Sequence, residues 1–258
     1  MPPRFRSKSG FIDREAMLEG IRNLSAYGPL DRLCKQMAAL ALGMAMALSA
    51  PAVAAENADP LVIVGFGDSL MAGYRLAPDE SFPAQLEAAL AEAGYENVKV
   101  QNAGVSGDTT SGGRARLDWA VGPEADAVIL ELGANDALRG VDPALARDNL
   151  TAMIETFQER DLPILLAGMY APPNLGPDYA AEFDPIFPEL AQQYDLIFYP
   201  FFLEGVAAEP ELNQEDGLHP TAEGIAVMVE GILPKVEELI DAARAQASAA
   251  QSPSRAAQ

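Results

Sequence analysis

The sequence predicts an α/β fold in which a parallel sheet is covered on both faces by helices. Three observations lead there. From residue 61 onward, short apolar runs recur without the apolar–polar alternation of a half-exposed strand, which is the pattern of strands buried on both faces. Longer stretches of helical spacing separate these runs, so strand and helix alternate. The chain has 258 residues, 49% of them hydrophobic, which suits one globular domain with a sizeable core.

The predicted strands, in order, are "LVIVGF" (61–66), "VKVQNA" (98–103), "AVILEL" (127–132), "PILLAG" (163–168) and "LIFYP" (196–200). Between the first two, "FPAQLEAALAEAG" reads as a helix stopped by Gly94. After the third, "PALARDNLTAMIETFQER" starts with Pro143, whose fixed φ suits the first helical position. "APPNLGPDY" (171–179) reads as a turn-rich loop on the carboxyl side of the sheet, where open α/β folds hold their ligands. A last helix runs from Pro220 to about residue 245, with Pro234 expected to kink or interrupt it. No internal repeat is visible, and residues 246–258, small and polar, read as a disordered tail after a domain spanning 55–245.

Residues 1–54 read as an extension plus a secretory signal. Positions 37–55, "MAALALGMAMALSAPAVAA", carry no charge, follow Arg32 and Lys35, and finish in small residues. Cleavage is expected after Ala54, giving a periplasmic or secreted protein. The alternative, a membrane anchor, needs an apolar span of roughly 20 residues; the stretch from Met37 to Leu48 is shorter and is broken by "SAP". A stable membrane span is therefore not expected once the signal is removed. The long flank before the apolar stretch suggests a start codon downstream, at Met17.

With 17 Lys and Arg against 38 Asp and Glu, the chain has a formal net charge of −21. Such a surface repels polyphosphates, which argues against nucleic acid as a ligand. A single cysteine, Cys34, excludes an intrachain disulfide, and with one histidine it excludes a structural zinc site of the usual Cys/His kind.

One histidine also means that any imidazole chemistry falls to His219, in "DGLHPTAEG". Asp216 precedes it by three residues with Gly217 between, so a turn can bring the carboxylate back onto the ring and fix its tautomer. Pro220 biases His219 away from helical geometry, onto a loop. A base held in this way can take a proton from a serine hydroxyl. Ser69, in "GFGDSLMAGY", follows the first strand at a strand-to-helix turn. An ordinary reading of that serine is a helix N-cap. The stretch is not the G-x-S-x-G elbow, because Met71 occupies the place of the second glycine.

Two further stretches follow consecutive strands. "NAGVSGDTTSGG" (102–113) is a glycine-rich turn whose N–H groups, near Gly107, can face an anion. "LGANDALRG" (132–140) places Asn135, a neutral amide donor, just past the third strand. Each alone has a plain turn or cap reading. Together they converge, because parallel strands end at one edge of the sheet.

These four blocks, "GDSLMAGY", "NAGVSGDTTSGGRARLDW", "LGANDALRG" and "DGLHPTAEG", resemble in order and spacing those of the GDSL or SGNH hydrolase family. They are most similar to its bacterial arylesterase, acyl-CoA thioesterase and lysophospholipase branch. The resemblance covers roughly residues 60–240. It implies a three-layer α/β/α sandwich with a flavodoxin-like sheet and no cofactor. It further implies Ser69 as nucleophile, His219 as general base and then acid, and Asp216 as the residue orienting it. The implied oxyanion donors are the backbone N–H of Ser69, the backbone N–H of Gly107 and the side chain of Asn135.

The expected function is an exported serine esterase acting on small-molecule esters, thioesters or lipids, with activity rising as His219 loses its proton. Phe198, Tyr199, Phe201 and Phe202 are candidates for an acyl pocket, with core packing as the alternative. Two other functions fit parts of the pattern. One is a carbohydrate acetylesterase with the same residues; the other is a binding protein without catalysis, holding an anion at helix N-termini.

Overall fold

The computed structural model describes residues 60–251. The extension and export signal read at 1–54 lie outside the described residues, as do 252–258. Five parallel strands, β1 (Leu61–Gly67), β2 (Val98–Gly104), β3 (Ala127–Glu131), β4 (Ile164–Ala167) and β5 (Ile197–Tyr199), form one sheet in the order β2-β1-β3-β4-β5. This is the flavodoxin-like order, with its switch point between β1 and β3. The register aligns the carboxyl ends: Gly67 pairs with both Gly104 and Glu131, Glu131 with Ala167, and Ala167 with Tyr199. The segments that leave these ends therefore start side by side.

Among the described residues eight α-helices follow in chain order: α1 (Ser69–Ala72), α2 (Phe82–Glu92), α3 (Thr110–Ala120), α4 (Ala134–Leu138), α5 (Pro143–Glu159), α6 (Gly176–Phe183), α7 (Ile186–Tyr194) and α8 (Ala222–Gln251). Helices α2 and α8 pack together against one face of the sheet, while α3, α5 and α7 cover the other, giving three layers. Between these layers the central strands are apolar on both sides: Ile63, Val64 and Phe66 of β1 and Val128, Ile129 and Leu130 of β3 are fully buried. Each such side chain contributes about 1.5–3 kcal/mol by leaving water.

Three segments differ from the sequence expectation. The glycine-rich stretch turns only as far as Asp108; helix α3 begins at Thr110, capped by the Thr109 side chain accepting from the Gly112 N–H. Gly113 lies inside that helix, where a side chain would collide with Leu132 Cδ1, so its glycine serves close packing rather than a turn. Residues 176–183, expected in part as loop, form α6, and only Pro173–Leu175 before them make a 3₁₀ turn.

Helix α8 runs through Pro234 and continues to Gln251, so its last turns occupy residues expected to be disordered. Pro234 is exposed, which leaves the carbonyl it cannot bond facing water. A stripe of Ile225, Met228, Ile232, Val236, Leu239 and Ala243 stays buried on the opposite side. Burial along that stripe holds both halves of the helix to the sheet.

Candidate active site

The turn after β1 carries Ser69. Asp68, not Ser69, caps the short helix α1: its Oδ1 accepts from the Leu70 N–H at 3.0 Å, and Ser69 is the first helical residue. With four residues in α1, the helix-dipole contribution expected at Ser69 is small. Gly104 lets this turn sit down on β2, since a side chain there would come within 2.3 Å of the Ala72 nitrogen. Gly73 closes α1 in the left-handed conformation, φ +77°. Ser69 is left 9% exposed, with its hydroxyl at the base of a cleft.

His219 arrives on a loop closed at its base by a bridge between Asn213 and Pro220. Inside it, the Gln214 N–H donates to the His219 carbonyl at 2.7 Å and the Gly217 N–H to the Gln214 carbonyl at 2.8 Å, with Gly217 at φ +67°. This tight turn folds Asp216 back as the sequence predicts. Its Oδ1 accepts from the N–H groups of Leu218 and His219, both at 3.0 Å, and its Oδ2 lies 2.9 Å from His219 Nδ1. The Leu218 N–H, the imidazole and the His219 N–H together hold the Asp216 carboxyl down at about 2. An ionised carboxylate can only accept, so Nδ1 carries the proton. That leaves Nε2 as an acceptor, and the Ser69 Oγ stands 3.0 Å from it.

Asn135, in the first turn of α4, lies on the other side of Ser69. Its Nδ2 donates to Asp68 Oδ2 at 2.9 Å, which leaves its second amide proton for a ligand. Ser69, Asn135 and His219 line one cleft. Gly107 sits apart from that lining, on the loop after β2 at φ +85°, its carbonyl accepting from Arg139 Nη2 at 2.7 Å. The N–H groups of Ser69 and Gly107 bond to no other group among the described residues.

Four predicted residues are thus brought together: Asp216 holds the His219 ring, the ring faces the Ser69 hydroxyl, and Asn135 lines the same cleft. A family model described as GDSL-like lipase/acylhydrolase matches residues 66–227. The chain belongs to that family. An arylesterase of Vibrio mimicus is 40% identical over 185 residues, which cover 71% of this chain and 90% of the relative. The thioesterase 1/protease 1/lysophospholipase L1 of Escherichia coli is 36% identical over 170 residues, 66% of this chain and 79% of that one. Among solved structures, AlinE4, an SGNH-hydrolase family esterase, is 49% identical, superposes with a TM-score of 0.60, and covers 70% of this chain and 97% of its own.

Family membership directs attention to neighbours that the sequence reading passed over. Asp68 and Glu131 are both fully buried beside the turn that carries Ser69. Glu131 Oε2 accepts the Asp68 N–H at 3.1 Å, while Oε1 has no hydrogen-bond partner among the described residues. Burial pushes the Asp68 carboxyl up to about 6, and burial, reinforced by Asp68, raises Glu131 well above the carboxylate range. The Tyr74 ring lies 4.4 Å from the imidazole, tilted by 41°. Arg116 braces the strand ends: Nη2 donates to the Gly67 carbonyl and Nη1 to that of Ala103, with the guanidinium 4.1 Å over the Phe66 ring. Within GDSL hydrolase blocks these residues flank the named ones, and no spacing rule singles them out.

The cleft measures about 350 Å³, and Leu70, Leu138, Met169, Tyr170, Phe201 and Leu218 give it mainly apolar walls. Of the four candidate aromatics, Phe201 alone reaches it, against Tyr170 at 4.8 Å between ring centres. Phe202 is fully buried against Phe82, and Phe198 and Tyr199 pack on the core.

Proposed function

We propose that this protein hydrolyses carboxylic esters and thioesters through an acyl-enzyme on Ser69. The observation that carries the reading is the linked set of contacts from Asp216 to the His219 ring and from the ring to the Ser69 hydroxyl, at 2.9 and 3.0 Å. In the first step Nε2 takes the hydroxyl proton as Oγ attacks the carbonyl carbon. The negative oxygen is held by the N–H of Ser69, the free amide proton of Asn135 and the N–H of Gly107. His219 then returns the proton to the leaving alcohol or thiol. Water repeats the sequence to release the acid.

Support for the substrate class comes from the cleft. Its apolar walls suit a short- or medium-chain acyl or aryl group better than an acetylated sugar, which needs polar partners. The similar proteins point the same way, carrying the names arylesterase, thioesterase and lysophospholipase. The apolar stretch at 37–55 with its basic flank supports export to the periplasm or beyond. Among the described residues no helix is long and apolar enough to cross a membrane.

A fluorophosphonate probe tests the reading. It should label the wild-type enzyme once and fail on Ser69→Ala and His219→Ala, while p-nitrophenyl esters from acetate to palmitate report the acyl preference. Labelling that survives Ser69→Ala would overturn it.

A further inference from the structure

A fully buried carboxylate one residue from the nucleophile calls for a reason. Asp68 is 0% exposed, and an anion there stands close to where the attacked carbonyl oxygen gains negative charge, so its Coulomb effect alone opposes the reaction. Helix capping does not account for it. Asparagine or serine caps as well as aspartate and buries no charge.

What capping does not use is the second oxygen. Oδ1 is taken by the Leu70 N–H, in the turn that carries Ser69, and Oδ2 receives an N–H of Asn135 Nδ2 at 2.9 Å. Two separate segments, the exits of β1 and β3, are thereby joined by one side chain across the sheet's switch point. An amide nitrogen has two protons in one plane. Fixing one against Oδ2 fixes the direction of the other, and sets the oxygen of the amide, which would repel an oxyanion, away from it. The backbone of Asp68 is itself held, its N–H donating to Glu131 Oε2 at 3.1 Å. Gly67 admits that carboxyl: a side chain at 67 would lie 2.4 Å from Glu131 Oε2.

The geometry points to Asp68 as a positioning residue that orients the Asn135 amide toward the oxyanion and locks it in register with the Ser69 turn. The inference rests on the proposed use of Asn135 as an oxyanion donor. Asp68 touches neither substrate nor the transferred proton. It acts through Asn135, lowering the cost of ordering that amide at the moment of reaction.

Asp68→Asn keeps the size of the side chain but offers one oxygen to two N–H donors, so either the cap or the Asn135 contact is lost. The test is a cycle of wild type, Asp68→Asn, Asn135→Ala and the double variant, with kcat and KM measured on p-nitrophenyl butyrate. Loss of one oxyanion donor costs about a hundredfold to a thousandfold in kcat; Asn135→Ala should fall in that range and Asp68→Asn at about tenfold or more, both with KM within about twofold. In the double variant the Asp68 change should add less than about threefold, since residues acting as one unit are not additive. Losses that multiply in full, or an Asp68 effect carried by KM, would overturn the positioning role. If Asn135→Ala instead keeps wild-type kcat, it is the oxyanion assignment that fails.

Should the Asp68 variant not fold, nuclear magnetic resonance of the wild-type enzyme decides the matter. One Asn135 side-chain proton should be displaced downfield and slow to exchange with water while its twin is ordinary. Two equivalent, freely exchanging protons would refute the contact.

Discussion

Gln214 is bonded to Tyr74: its Nε2 donates to the Tyr74 carbonyl at 2.8 Å and also to the Pro220 carbonyl at 2.9 Å. The two residues stand 140 positions apart in the chain. One amide therefore joins the loop that carries His219 to the turn that follows Ser69, and the Tyr74 ring packs on the imidazole. Gln214→Leu removes both bonds and leaves two carbonyls short of a partner. We expect a stability loss of about 1–3 kcal/mol and a fall in kcat of the folded fraction. Thermal unfolding and esterase assays of the variant check both; an unchanged kcat would show that the loop is held elsewhere.

Asp216 gives a sharper expectation. Asp216→Asn can turn an N–H toward Nδ1, which stabilises the tautomer with the proton on Nε2, and that tautomer cannot accept from Ser69. The loss in kcat should reach about a thousandfold to ten-thousandfold, as for the equivalent change in other serine hydrolases. Because the folded-state value of about 2 lies below the ordinary 3.8, the carboxylate's stabilising contribution is complete above pH 3.8 and fades as pH falls toward 2. The acid limb of the rate profile therefore reports another group, and a kcat profile in Asp216→Asn that keeps wild-type magnitude would contradict the assignment.

The opposite sign holds for Glu131. Its folded-state value stands well above 4.5, so between those two values the native state binds a proton that the unfolded chain has released, and stability falls as pH rises. Glu131→Gln keeps a carbonyl oxygen for the Asp68 N–H and removes the titration. Relative to wild type its melting temperature should be close at pH 4 and higher at pH 7, by about 2–4 °C for each kcal/mol gained. Melting curves at the two pH values test this. A variant that loses ground as pH rises would mean that Glu131 is ionised in the folded protein and held by Arg116.

The strands were legible because burial on both faces leaves an uninterrupted apolar run, and all five lie within one residue or so of their expected bounds. Ser69, Asn135, Asp216 and His219 were legible because each stands just after a strand or in a turn that glycine and proline announce. Less of the remainder could be read. Helix α3 was hidden by Gly112 and Gly113, whose absent side chains answer to Asp108 in the turn just before the helix and to Leu132 from a distant segment. The continuation of α8 past Pro234 depends on a buried stripe that outweighs one lost hydrogen bond. Asp68, Tyr74 and Gln214 act through contacts across 67, 145 and 140 positions of chain, and no local pattern marks such partners.

The cleft sets the last expectation. Leu138, Tyr170 and Leu218 at its rim are each about half exposed, so an acyl chain that lies along them removes apolar surface from water on both partners. At about 0.8 kcal/mol per buried methylene, kcat/KM should rise by up to about fourfold for each carbon added until the walls are covered. Phe201→Ala takes away one wall, leaving the Ser69, His219 and Asp216 contacts in place. It should therefore flatten the rise from acetate to hexanoate while changing the acetate rate little. A series of p-nitrophenyl esters measured on wild type and variant gives both slopes. Parallel slopes would place the acyl group elsewhere and leave the alcohol or thiol side of the substrate against Phe201.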